Sequence, residues 1–223
     1  MSVWAVLAAA GSGERLGLDR PKAFANLRDR PLLAEPLERL EASGWIDSIV
    51  VAVPPEWEEP AILLAEELGA GKVVACVTGG ATRAESVRAA VEEVADDAAV
   101  ILVHDAARPL VDDGVIERVL KPLSEGFDGA VPTLPVADTV KRARGGEIVE
   151  TLDRAELVAV QTPQAFLADT LRSALGGDLG AATDCSSLVE AQGGRVKVVE
   201  GDPRLLKVTT PEDLAWIQHR LAG

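Results

Sequence analysis

A glycine-rich segment near the start of the sequence contains residue types that bind anionic groups. It spans residues 8–17, reads AAAGSGERLG, and begins at the end of an apolar run over residues 3–9. Glycines and small residues let backbone N–H groups approach an anion closely, and Arg15 and Lys22 add positive charge nearby. The pattern predicts a phosphate-binding turn, and an ordinary glycine-rich connection between a strand and a helix is the alternative.

Two established phosphate-binding loops do not fit the same letters. The dinucleotide fingerprint GxGxxG needs its third glycine one residue before Gly17, and the next strand ends as Val53-Pro54-Pro55 without a ribose-binding acid. A Walker loop requires GxxxxGK followed by Ser or Thr, and the sequence contains no such string. A dehydrogenase and a Walker-type NTPase are therefore disfavoured.

An acidic residue ends another apolar strand, at Asp105 in the motif HDAARP. Ligands of open α/β sheets bind at the carboxyl ends of strands, so we expect Asp105 to contact a ligand. Its carboxylate could hold a Mg²⁺ ion that screens a polyphosphate, and a structural ion pair between Asp105 and Arg108 is the alternative. We interpret His104 as an orienting or core histidine, because no nucleophile stands nearby for it to activate.

A second glycine pair precedes a predicted helix, in the motif GGATRAESV at residues 79–87. The glycines permit close approach of a flat ligand, and Ser86 could contact the edge of a base. Thr82 and Glu85 also fit a capping box, which would only start the helix. The two interpretations are compatible.

Two polar residues nearer the C-terminus have simple structural explanations. Lys207 lies just before the last predicted helix, where a lysine is usually an exposed cation without a role. Asp184 fits the N-cap of another helix. Taken alone, neither residue indicates a site.

These residues must be positioned by alternating strands and helices. Predicted strands cover residues 3–9, 48–53, 72–77, 100–104, 130–136, 157–160 and 195–200, and predicted helices cover 31–43, 57–68, 83–94, 168–175 and 210–221. The alternation predicts an α/β fold with a mostly parallel, Rossmann-like sheet flanked by helices. We expect a single domain over residues 1–223.

A projecting β-arm is expected within that domain at residues 136–155. Its two strands flank Arg144-Gly145-Gly146, a hairpin turn signal. An isolated two-stranded ribbon cannot bury enough surface to be stable, so the arm should pack on another surface, most simply a second copy of the chain. Its basic residues are otherwise explained as a solvated edge that resists aggregation. They include Lys141, Arg142 and Arg154.

Composition narrows the possible partners. The chain has 22 Lys+Arg against 36 Asp+Glu, a net charge of −14, which disfavours binding to nucleic acid or an anionic membrane. Cys76 and Cys185 show no CxxC spacing, so we expect neither a zinc site nor a disulfide framework, and we expect a cytoplasmic location. The N-terminal apolar run is too short for a signal peptide or a membrane span.

Several motifs, in the same order over residues 3–214, together resemble one enzyme family. They are AAAGSGERLG with PKAF, GGATRAESV, HDAARP, PVADTVK, TLDRAEL, TPQAF and LLKVTTPEDL. The family is that of the 2-C-methyl-D-erythritol 4-phosphate cytidylyltransferases of the non-mevalonate isoprenoid pathway. The resemblance implies a nucleotidyltransferase fold, a homodimer joined through the arm, and a Mg²⁺-dependent reaction of CTP with methylerythritol phosphate that releases pyrophosphate.

The resemblance also implies roles for individual residues. The implied catalytic cations are Arg15, Lys22 and Lys207. The implied CTP-binding residues are Ala9, Ala10, Gly11, Gly13, Gly80 and Ser86. The implied substrate-binding residues are Asp105, Arg108, Thr139 and Arg154, of which Thr139 and Arg154 would reach the substrate bound to the partner subunit, and Asp105 is also the candidate metal ligand.

Two positions depart from the family pattern. Glu14 stands where many relatives carry a basic residue, and Ala81 stands where an acidic or polar residue can contribute to base recognition. Ala81 therefore weakens the expectation that side chains discriminate cytosine. A cytidylyltransferase for ribitol phosphate or another polyol phosphate is the nearest alternative function, and a non-catalytic nucleotide sensor is an alternative of another class.

Overall fold

The central sheet has eight strands within the part of the chain that the computed structural model describes, residues 2–17, 19–180 and 182–221. The strands in chain order are β1 (Val3–Ala8), β2 (Asn26–Leu27), β3 (Arg30–Pro31), β4 (Ser48–Val53), β5 (Val73–Thr78), β6 (Val100–Asp105), β7 (Gly129–Pro135), β8 (Lys141–Arg144), β9 (Glu147–Thr151), β10 (Val158–Val160), β11 (Gln164–Leu167) and β12 (Val196–Glu200). The α-helices are α1 (Ala34–Ala42), α2 (Glu58–Glu67), α3 (Arg83–Val91), α4 (Asp113–Leu120), α5 (Ala168–Leu175), α6 (Cys185–Ala191) and α7 (Pro211–Arg220). In the described ranges, no helix is long and apolar enough to cross a membrane.

The sheet is mostly parallel, which confirms the predicted fold class. Its order is β12, β7, β11, β6, β1, β4 and β5. β11 pairs with the first residues of β7, and β10 pairs with the last residues of β7. β10 and β11 run antiparallel to their neighbours, whereas the other strands of this sheet share one direction. The carboxyl ends of the parallel strands therefore meet at one edge.

Two apolar layers cover the sheet, because successive residues of a strand point to opposite faces. Leu7 of β1 packs in a layer with α1, α2 and α4, and its neighbour Val6 packs in the opposite layer with α3, α5 and α6. A third cluster joins α7 to β2 through Ile217 and Leu27. Close packing on both faces fixes the strand ends and the loops that follow them.

The predicted hairpin forms a separate two-stranded sheet of β8 and β9. Gly145 and Gly146 join the strands with φ angles of +58° and +86°, which glycine adopts without the steric cost of a Cβ. Every residue of β8 and β9 is exposed. The arm is thus held by its own hairpin contacts, including an ion pair between Arg142 and Glu150.

Candidate active site

A cavity of about 490 Å³ lies at the carboxyl edge of the sheet and is called the first cavity below. It is lined by the glycine-rich segment after β1, the loop before α3, the end of β6 and the segment before α7. The predicted site residues that line it are Ala9, Ala10, Gly11, Lys22, Gly80, Ser86, Asp105 and Lys207. The fold therefore brings together predicted residues from both ends of the chain.

The glycine-rich segment forms a tight turn against Lys22. Gly13 has a φ of +78°, and a Cβ there would lie 3.0 Å from the backbone N of Lys22, so the position needs glycine. The Lys22 backbone N–H donates to Gly11 O at 3.2 Å, and Lys22 Nζ donates to Val208 O at 3.1 Å. The turn and Lys22 also line an adjoining cavity of about 380 Å³. The predicted Arg15 has its backbone in this turn, but its side chain lies outside the described part of the structure.

The loop before α3 packs tightly on the glycine-rich segment. A Cβ on Gly79 would lie 2.5 Å from the Ala10 Cβ and 2.7 Å from Ser86 Oγ, so the two segments can approach only because residue 79 is glycine. The Ser86 hydroxyl donates to Thr82 O at 2.8 Å. Ser86 therefore supports the loop as well as lining the cavity. The predicted capping box of Thr82 and Glu85 is confirmed.

Asp105 is the centre of a cluster of opposite charges. The carboxylate is 5% exposed, and its Oδ1 accepts from Arg83 Nε at 2.8 Å while its Oδ2 accepts from Lys207 Nζ at 2.7 Å. Burial alone would raise the pKa of Asp105. The charges of Arg83 and Lys207 lower it by more than burial raises it, so the pKa of Asp105 lies below its ordinary range. The alternative ion pair with Arg108 is wrong, because Arg108 Nη1 instead donates to Leu205 O at 2.6 Å.

His104 is a core residue, in agreement with its interpretation from the sequence. Its Nε2 lies 2.9 Å from Arg108 O, and its Nδ1 lies 3.0 Å from Thr162 Oγ1. Burial lowers the pKa of His104 to about 4, so the ring is neutral at pH 7. Its two hydrogen bonds connect β6 to the start of the loop after β6 and to the segment before β11.

A second cavity of about 420 Å³ adjoins the first. The two cavities share Arg83, Asp105 and Lys207, which we call the junction. The other residues of the second cavity come from the loop after β6, from the end of β10 through the first residue of β11, and from α6 and the two residues before it: Arg108, Val160, Gln161, Thr162, Gln164, Thr183, Asp184, Ser186, Ser187 and Glu190. Most of them are polar, so this cavity suits a hydroxyl-rich ligand.

The start of α6 is fixed within the second cavity. Asp184 caps the helix as predicted, accepting from the Ser187 backbone N–H at 3.0 Å. It also accepts from Gln164 Nε2 at 2.7 Å. Gln164 Oε1 and Arg108 Nε are buried without a hydrogen-bond partner in the structure. Buried polar atoms are costly unless they are paired, so these two atoms mark places where a ligand or water would gain a hydrogen bond.

The two predicted arm residues lie elsewhere. Thr139 and Arg154 are exposed and line neither cavity of this chain. Arg154 donates from Nη1 to Ala137 O, within the arm itself. The chain therefore does not bring these residues to its own junction.

Arg83 and Gln164 belong to the site but are absent from the residues predicted from the sequence. Arg83 carried a usable signal, because it is the first residue of α3 and a cation at a helix N-terminus opposes the helix dipole. Such a placement indicates a specific acidic partner, here Asp105. Gln164 lies in the TPQAF motif, but the motif assigned it no role, and its place in the site depends on how β11 enters the sheet.

The described residues offer no cluster of three or more His, Cys, Asp or Glu side chains that could hold a metal ion. Asp105 faces both cavities, and both of its oxygens already accept from cations. A Mg²⁺ ion usually binds through one or two carboxylates together with substrate phosphates and water. With Asp105 as the candidate carboxylate, the site fits a metal ion that is bound mainly by substrate oxygens.

Comparison with known proteins gives one consistent result. The family model described as IspD, 2-C-methyl-D-erythritol 4-phosphate cytidylyltransferase, matches residues 3–222. A relative from Nocardia farcinica with that name is 47% identical over 96% of this chain and 91% of its own length. A relative from Saccharopolyspora erythraea with the same name is 44% identical over 100% of both chains.

Solved structures agree with the sequence relatives. The crystal structure of 2-C-methyl-D-erythritol 4-phosphate cytidylyltransferase from Thermus thermophilus is 33% identical, with a TM-score of 0.77 over 98% of both chains. A structure of 4-diphosphocytidyl-2C-methyl-D-erythritol synthase is also 33% identical, with a TM-score of 0.80 over 99% of both chains. With the family model and these relatives matched over nearly its full length, the chain belongs to the 2-C-methyl-D-erythritol 4-phosphate cytidylyltransferase family, a family of nucleotidyltransferases.

Proposed function

We propose that this chain transfers the cytidylyl group of CTP to the phosphate of 2-C-methyl-D-erythritol 4-phosphate. An acceptor phosphate oxygen forms a bond to the α-phosphorus of CTP, and the bond from that phosphorus to the bridging oxygen of pyrophosphate breaks. Pyrophosphate leaves with the electron pair. The observation that carries the proposal is the junction, where two cavities of different character meet at two cations and one carboxylate.

The first cavity would bind CTP. Backbone N–H groups of the glycine-rich turn, with Lys22 beside them, would face the triphosphate. The loop before α3 would contact the cytosine, mainly through the backbone near Gly80, because Ala81 has no polar side chain. Side-chain recognition of the base is thus expected to contribute little here.

The second cavity would bind the polyol end of the acceptor. Gln164, Asp184 and Ser186 present hydrogen-bonding atoms there, and Arg108 adds a cation. Lys207 at the junction would lie where the acceptor phosphate meets the α-phosphate. Transfer of a nucleotidyl group needs little covalent chemistry from the protein, so catalysis would come from positioning and from cations that meet negative charge in the transition state.

We include Mg²⁺ in the proposal as a metal bound by the triphosphate, with Asp105 as the candidate protein ligand. When bound, it would neutralise charge on the phosphate oxygens. We also propose a homodimer in which Thr139 and Arg154 of the arm reach the acceptor on the partner subunit, because both are exposed and line neither cavity of their own chain. The cytoplasmic location stays a prediction.

The direct test is pyrophosphate release by the purified protein with CTP, Mg²⁺ and one acceptor at a time. We expect turnover with 2-C-methyl-D-erythritol 4-phosphate and a CDP-linked product detectable by mass spectrometry. Faster turnover with ribitol phosphate would show that the acceptor is wrong. CTP binding without turnover on either acceptor would favour a nucleotide sensor instead.

A further inference from the structure

The Arg83 side chain lies at the boundary of both cavities but is mostly buried. Its Nε donates to Asp105 Oδ1 at 2.8 Å, and its Nη1 lies 3.6 Å from Cys185 Sγ. Its Nη2 is buried and has no hydrogen-bond partner in the structure. The guanidinium is therefore held mainly by its hydrogen bond to the Asp105 carboxylate, and most of the side chain is out of contact with solvent.

The junction contains two cations and one carboxylate. Asp105 divides its two oxygens between Arg83 and Lys207, one oxygen to each. The three charges sum to +1, in a place where two phosphate groups would have to approach each other. If Arg83 were absent, the remaining pair of Asp105 and Lys207 would be neutral. Both carboxylate oxygens could then accept from Lys207.

We infer that Arg83 is a positioning residue for the transfer reaction: by occupying Oδ1 of Asp105, it leaves Lys207 bound to one oxygen and the junction with a net positive charge. This inference rests on the proposed function. Arg83 acts through Asp105 and Lys207 and need not touch either substrate. The reacting phosphates would gain most from the net charge when negative charge builds up in the transition state.

The same residue connects the junction to the first cavity. Arg83 directly follows Thr82, the N-cap of α3, and the preceding residues Gly80 and Ala81 line the first cavity. An Arg at this position opposes the helix dipole, so its placement depends on the Asp105 carboxylate. Burial alone would lower the pKa of Arg83. The charge of Asp105 raises it by more than burial lowers it, so the guanidinium is charged at all ordinary pH values.

The test compares neutral and charged replacements. Arg83→Gln removes the charge, Arg83→Met removes it while filling a similar apolar volume, and Arg83→Lys restores it. We expect kcat to fall about 10- to 100-fold in the two neutral variants, with KM for CTP and for the acceptor changed less than about threefold. Arg83→Lys keeps the charge but not the guanidinium geometry, so it should recover part of the lost kcat and exceed both neutral variants. Either neutral variant suffices if the other does not fold.

The matched control is Arg88→Ala, which removes an exposed arginine from the same helix. It should leave kcat unchanged. CTP affinity, measured by calorimetry for every variant, reports on folding of the first cavity independently of turnover. If the parent protein itself releases no pyrophosphate, the proposed function fails. If the parent is active and the folded neutral variants keep the parent kcat, or Arg83→Lys is no better than Arg83→Gln, the inference about Arg83 is overturned.

Discussion

The junction and the arm differ in what holds their side chains in place. At the junction, Asp105 is 5% exposed and each of its oxygens has a cationic partner from a distant part of the sequence. In the arm, Ile148 is 67% exposed and Val149 is 53% exposed, and the strands pair only with each other. A two-stranded ribbon that leaves large apolar side chains in solvent is marginally stable unless another surface covers it. The chain thus completes the junction by itself, whereas the arm leaves Ile148 and Val149 exposed and contributes to neither cavity of its own chain.

The largest effect should come from a cation beside the glycine-rich turn. Replacing Lys22 by Ala should lower kcat about 100- to 1,000-fold, because charge on the phosphates in the transition state would lose a fixed cation. KM for CTP should change much less. Steady-state pyrophosphate release checks this, with the exposed Lys121→Ala as the control. A large rise in KM at constant kcat would contradict the role in transfer.

In the arm, the expected effect is on acceptor binding. Arg154→Ala should raise KM for the acceptor by about tenfold or more, because a charged hydrogen bond would be lost, and should leave KM for CTP nearly unchanged. Arg144→Ala, an exposed arginine of the same hairpin, is the control. Unchanged acceptor kinetics for Arg154→Ala would remove the arm from the site.

Mixed dimers would sharpen the comparison. We propose that each site uses Lys22 of one subunit and Arg154 of its partner. A dimer of one Lys22→Ala subunit and one Arg154→Ala subunit then has one site with both residues and one site with neither. At acceptor concentrations well below KM, where sites that lack Arg154 contribute little, co-expression of the two variants in equal amounts should therefore give roughly a quarter of the parent activity. No recovery, with mixed dimers demonstrated by two affinity tags, would show that the arm does not act across subunits.

Packing between the two loops of the first cavity should have a moderate effect on stability. Gly79→Ala places a Cβ 2.5 Å from that of Ala10, and we expect the free energy of unfolding to fall by about 1–3 kcal/mol. Gly44→Ala is the matched control, since a Cβ there meets nothing within 4 Å and the backbone is not left-handed. Urea denaturation of both variants provides the measurement. Equal stability would mean that the loops separate easily.

The last effect appears only in acid. Burial lowers the pKa of His104 to about 4 in the folded chain, below its ordinary 6.5, so the unfolded chain binds a proton first as pH falls. This contribution to stability is complete above about pH 6.5 and is lost toward pH 4, by at most about 1.4 kcal/mol per pH unit. Urea denaturation at pH 7, 6 and 5 should show a shallower loss for His104→Gln. The exposed arm variant Glu150→Gln should keep the parent slope.

Local sequence patterns predicted most of the first cavity and little of the second. Gly11 and Lys22, which both line the first cavity, lie within one short segment, so their proximity can be inferred from the sequence. Arg83 could be linked to Asp105 only through the parallel arrangement of strands that puts the start of α3 beside the end of β6. The alternative ion pair considered for Asp105 was with Arg108, a near neighbour in sequence, because spacing favours local pairs over distant ones.

The elements that were not predicted include α4 and β11. α4 begins after an Asp112 N-cap and includes Gly114, whose low helix propensity weakens the pattern. β11 has only four residues and continues directly into α5, so it shows too few residues for an alternating pattern. Because β11 was missed, its contribution of Gln164 to the second cavity was missed as well.

β11 runs antiparallel to its neighbours, and its direction brings a strand start, as well as strand ends, to the edge of the sheet that lines the second cavity. In a purely parallel sheet, only strand ends and the loops after them reach the ligand edge. Here the first residue of β11, Gln164, stands opposite Val103 of β6 and so lies at that edge. A change of side chain at this strand start would alter the wall of the second cavity without lengthening a loop or moving Arg83 or Lys207. Under the proposed function, relatives can therefore differ in the polyol they accept while keeping the same cations at the junction.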